Sequence, residues 1–154
     1  MQPMYYIGLD VHKRIISYCV KDGSGVIHAE GTLRATRSDL DGWMKTLPQP
    51  WTAAMEATIF TGWIYDYLLP HAAALKVAHP LMLRAIAAAK KKNDRIDASK
   101  IADCLRCDFL PECYIDLTGL FCTSGSEREF TLEGSWYAEQ EIQAGADRDA
   151  AAAG

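Results

Sequence analysis

Apolar positions follow two rhythms along this chain, and the change between them outlines its elements. Tyr5-Tyr6-Ile7-Gly8-Leu9-Asp10-Val11 and Ile15-Ile16-Ser17-Tyr18-Cys19-Val20 are short runs of β-formers, divided by the polar stretch His12-Lys13-Arg14. Asp22-Gly23-Ser24-Gly25 is a hairpin turn signal, and a third run follows over residues 26–33. Three runs with short connections predict an antiparallel meander. The rhythm then lengthens: Ser38 is expected to cap a helix, with Asp39 and Asp41 in the first turn, where the helix dipole favours acids. Pro48-Gln49-Pro50 stops it. Trp51-Thr52-Ala53-Ala54-Met55-Glu56 reads as a fourth, buried strand, and residues 63–69 as a helix ended by Pro70. Ala74-Leu75-Lys76-Val77-Ala78 is a short fifth strand. Pro80 opens a helix over residues 81–92, and the last helix is expected over residues 94–108.

Antiparallel hairpins followed by strands alternating with helices indicate a mixed sheet covered by helices. This is the element order of a ribonuclease-H-like domain, so the predicted fold class is α/β, a mixed five-stranded sheet with flanking helices. Trp43, Trp51 and Trp63 stand at or near element starts and are expected in the core. A hydrophobic fraction of 49% over 154 residues, with mean hydropathy -0.09, suits one domain with its own core. No run approaches the roughly 20 apolar residues of a membrane span, and the first residues lack a leader pattern, so a cytoplasmic protein is expected. Cys104 and Cys107 have the spacing of a zinc or redox pair, without a second pair or a histidine at ligand spacing. Helical packing accounts for them better.

Charge divides the chain. Residues 1–115 hold 14 Lys and Arg against 12 Asp and Glu, a net +2, whereas residues 116–154 hold 2 against 8, a net -6. The second stretch has no clear period and ends in Ala, Asp and Gly, so a disordered acidic tail is expected there.

Four carboxylates carry the candidate chemistry. Asp10 lies at the end of the first strand, where it is either a ligand held by a rigid backbone or an ordinary surface acid. Glu56 closes an apolar strand of small residues, where an ionised carboxylate calls for a cation or else caps the next segment. Asp94 and Asp97, three apart on the expected helix, face one way and repel unless a cation lies between them; the alternative is a solvated, acid-rich helix start. Asp103, six residues beyond Asp97, points away from that face. An all-oxygen set suits Mg²⁺ or Mn²⁺, and two such ions roughly 3.5–4 Å apart can drive phosphodiester chemistry. Lys90, Lys91, Lys92 and Arg95 lie beside the acids, either as nucleic-acid contacts or as a solvated helix end. His12, adjacent to Asp10, either assists at the site or, the reading preferred, is a polar strand-end residue, and His28, His71 and His79 follow no ligand spacing.

Ile7-Gly8-Leu9-Asp10-Val11-His12-Lys13, Met55-Glu56-Ala57-Thr58 and Lys92-Asn93-Asp94-Arg95-Ile96-Asp97-Ala98 together resemble the D-E-D-D transposases of the IS110 family. Those enzymes are related to the Piv DNA invertase and have a fold like the RuvC Holliday-junction resolvase. The resemblance covers about residues 4–115, and Asp10, Glu56, Asp94 and Asp97 match the tetrad in order. It implies a divalent-metal site for DNA recombination of an insertion element, with DNA and a structured guide RNA as partners, in a homo-oligomer. It also implies a second domain with a serine nucleophile, joined through a coiled coil. The sequence departs from that pattern after Ile115, and Ser124, Ser126 and Ser135 sit in no matching motif. A frameshift or early stop would produce this, so a truncated, inactive copy is expected. Two other readings stand beside it. One is a nucleic-acid-binding remnant that does not cut. The other is an actin-like phosphate-binding domain, which wants a Gly-rich turn where this chain has Val11-His12-Lys13-Arg14.

Overall fold

A computed structural model describes residues 3–88 and 97–113 of the chain. Six strands and four helices follow in the order β1 (Tyr5–Val11), β2 (Ile15–Lys21), β3 (Ile27–Arg34), α1 (Arg37–Met44), β4 (Trp51–Glu56), α2 (Thr61–Leu68), β5 (Ala74–Ala78), α3 (Pro80–Ala88), α4 (Ala98–Arg106) and β6 (Glu112–Cys113). They form one sheet in the order β3-β2-β1-β4-β5-β6. The meander β1-β2-β3 is antiparallel, β4 and β5 add to β1 in parallel, and β6 closes the far edge antiparallel to β5.

The first five strands fall within a residue of the positions read from the sequence. The sheet nevertheless has six strands rather than five, because Glu112–Cys113 is too short to show any period. Helix starts shift as well. Thr36, not Ser38, caps α1: its backbone is extended and its hydroxyl accepts from Asp39 N at 3.2 Å, while Ser38 lies inside the helix. Helix α2 begins two residues before Trp63, at buried Thr61, whose hydroxyl donates to Glu56 O at 2.8 Å. The last helix starts at Ala98 rather than at residue 94.

Strand alternation gives the sheet two dissimilar faces. Ile7, Leu9, Val11, Ile16, Val20, Ala53, Met55, Leu75 and Val77 face one way, beneath Leu40 and Trp43 of α1 and Ile64 and Leu68 of α2. Trp51 is fully buried in that layer, and Trp63 packs at its margin. The opposite face is thinner: Ala54 and Ala78 meet Leu83 of α3 and Ile101 and Leu105 of α4.

Helix α4 sits unusually close to this second face because Gly8 offers no side chain. A Cβ at Gly8 would overlap the Ala98 carbonyl and lie 2.5 Å from Ala102 N. Farther along, buried Lys21 donates from Nζ to Asp103 Oδ2 at 2.7 Å and to Ser99 O at 3.3 Å. Arg106 reaches Gly23 O in the β2–β3 turn at 3.4 Å. Tyr6 pairs with Lys21, so the carboxyl end of α4 lies over the start of β1. The helix therefore runs back along β1, and its amino end is directed toward the carboxyl ends of β1 and β4.

Candidate metal centre

Asp10 is the penultimate residue of β1 and shares a strand face with Gly8. Glu56 is the last residue of β4 and shares a face with Ala54. The parallel register sets Leu9 beside Met55, so the next residues, Asp10 and Glu56, come side by side. Both lie on the α4 side of the sheet, with side chains 16% and 18% exposed.

This is a costly place for negative charge. Burial pushes the Glu56 carboxyl above its ordinary pKa of 4.5, and the neighbouring Asp10 charge pushes the same way. Arg84 opposes them, with Nη2 3.5 Å from Glu56 Oε1, and His12 does so more weakly. His12, read from the sequence as a polar strand-end residue, has Nε2 3.1 Å from Asp10 Oδ2. Sequence reading missed Arg84. The available signal was a single charge inside the otherwise apolar helix sequence PLMLRAIAA, just after the strand beside β4.

Asp97 stands immediately before α4 with extended backbone (φ -117°, ψ 173°), and its carboxylate accepts from Lys100 N at 2.9 Å. It is a helix cap. Asp97 thus precedes the helix rather than standing within its first turn. Asp94, Lys90, Lys91, Lys92 and Arg95 lie outside the described residues. Among the described residues, no three His, Cys, Asp or Glu side chains gather closely enough to hold a metal ion. Asp10 and Glu56 come together, and the exposed Asp97 is not gathered with them. Asp103 is held at the other end of α4, where Lys21 and Arg106 keep its carboxyl below the ordinary range against the opposing effect of burial, the largest single influence on it.

The donor chemistry fits a hard divalent cation. Asp10 and Glu56 converge, and at Glu56 burial and the neighbouring negative charge both disfavour ionisation, costs that a Mg²⁺ or Mn²⁺ ion would relieve.

The sequence profile of a transposase family, the IS110-type DEDD transposases, matches residues 7–114. The chain belongs to that family. No curated protein matches it individually. In this transposase domain the match runs from β1 to the residue after β6, and so takes in both sheet faces, Asp10, Glu56 and the α4 cap. Residues 116–154 lie beyond it. No helix among the described residues is long and apolar enough to cross a membrane.

Proposed function

We propose that residues 1–115 form a ribonuclease-H-like, RuvC-like catalytic domain that cuts DNA with Mg²⁺ or Mn²⁺ in the transposition of an insertion sequence. The observation that supports this best is the pairing of Asp10 and Glu56 at the ends of adjacent parallel strands, beneath a helix whose amino end bears Asp97. In this reading Asp94 joins Asp97 to complete a tetrad. When bound, the divalent ions supply charge to the phosphodiester oxygens and lower the pKa of an attacking water. Asp10 and Glu56 hold their oxygens on strand ends that cannot swing, which fixes the geometry in advance. His12 orients the Asp10 carboxylate. Lys90, Lys91, Lys92 and Arg95 draw in the phosphate backbone, so binding is weak and falls with salt. A structured guide RNA and a homo-oligomer in the cytoplasm complete the proposal.

One observation favours a second reading, a domain that binds nucleic acid without cutting: the Asp97 carboxylate is engaged as a helix cap. Isothermal titration with Mn²⁺ separates the two. Asp97→Asn is the informative variant, because asparagine caps a helix about as well as aspartate while removing the charge. Asp10→Asn, Glu56→Gln and Asp97→Asn are each expected to weaken Mn²⁺ binding strongly while the fold persists. Unchanged binding in all three would remove the metal mechanism. Loss confined to Asp10→Asn and Glu56→Gln would leave Asp97 as a cap alone.

A further inference from the structure

Arg84 stands in the position of a cation beside the candidate centre, yet it is built to leave. Its Nη2 meets Glu56 Oε1 at 3.5 Å, the outer limit of a hydrogen bond, in place of the short two-pronged contact that arginine makes with a committed carboxylate partner. The arginine side chain is 68% exposed against 18% for Glu56, so the pair spans from the half-buried centre to open solvent. Helix α3 carries no other charge, and the exposed side chains near its start, Leu81 and Met82, are apolar.

We propose that Arg84 is a DNA-phosphate contact that neutralises Glu56 until a divalent ion binds and then turns to the backbone phosphate brought to that ion. The proposal rests on the metal-site reading above. A guanidinium and a dication compete for one carboxylate. Once the ion is bound, Glu56 no longer attracts the guanidinium, and the ion repels it. A long, exposed arginine can swing without disturbing the core, and its planar fork matches two oxygens of a phosphate. Arg84 thus keeps the carboxylate pair tolerable before the ion arrives and adds a phosphate contact afterwards.

The test uses the full chain, Mn²⁺ titration without DNA, and anisotropy of a short fluorescent DNA duplex in Mn²⁺ at several salt concentrations. Arg84→Gln is expected to bind Mn²⁺ roughly two- to fivefold more tightly, the worth of an exposed ion pair removed from competition. The same variant should bind the duplex more weakly, with the slope of log affinity against log salt smaller by about one. Arg84→Lys keeps the charge without the fork; it should restore parental Mn²⁺ affinity and only part of the DNA affinity. An arginine that merely props Glu56 in place would give weaker Mn²⁺ binding in Arg84→Gln, and that result overturns the proposal. So does an unchanged DNA salt slope. Mn²⁺ binding by the parent that ignores Glu56→Gln would remove the metal-site reading itself, and this proposal with it.

Discussion

Glu56 gives up its proton reluctantly, and that reluctance has a measurable sign. Its pKa in the folded chain lies above the ordinary 4.5, so the folded protein retains a proton there that the unfolded chain has already lost. The stability this contributes is full below about pH 4.5 and is lost as pH rises through the folded value. Urea midpoints of the metal-free protein are therefore expected to fall as pH rises above the ordinary glutamate range. Glu56→Gln should flatten that part of the curve, and identical curves for the two proteins would show that burial of Glu56 has no such effect. The residue was legible in the sequence because a carboxylate ending the apolar run Ala53-Ala54-Met55 is conspicuous. Asp97 was legible as part of a motif but not as a cap, since an acid at residue 94 or 97 marks a helix start equally well. Arg84 was passed over because its partner lies 28 positions away in the chain.

At the level of elements, the placement of α4 decides whether Asp97 can approach Asp10 and Glu56 at all. Gly8 permits that placement. A methyl group there would meet main-chain atoms of Ala98 and Ala102, which cannot rotate aside. Gly8→Ala is expected to lower unfolding stability by about 1–3 kcal/mol, as overpacking does, and to weaken Mn²⁺ binding by shifting the amino end of α4. Chemical denaturation and metal titration on the same preparation check both effects. A variant of parental stability would show that the helix can ride outward without cost. The strands were legible because their alternation persists over five to eight residues. The seating of α4 was not, since a glycine within a strand reads locally as a weak strand former, whatever helix later covers it. Thr36 and Ser38 are both acceptable caps by type, and only the backbone conformation selects between them.

Across the whole molecule, charge is unevenly shared. The family match covers residues 7–114, while the stretch from 116 onward is net -6 against net +2 for residues 1–115. Those acids oppose the approach of a polyanion. A chain shortened to residues 1–115 is expected to bind duplex DNA more tightly than the full chain, roughly severalfold at low salt, with the difference shrinking as salt is raised. Anisotropy at matched ionic strength reads this directly, and equal affinities would mean that the acidic stretch does not reach the bound DNA.

The parallel pairing of β1 with β4 has a consequence for the order of events during folding. Asp10 belongs to a local meander that needs only short-range closure, whereas Glu56 arrives by a crossover spanning β2, β3 and α1. A partly folded chain holding the meander alone would present one carboxylate of the pair. The second joins it only once the long connection has closed in register, since a slip of one residue would turn Glu56 into the apolar layer beneath α1 and α2. The juxtaposition of the two acids is therefore a mark of the finished topology.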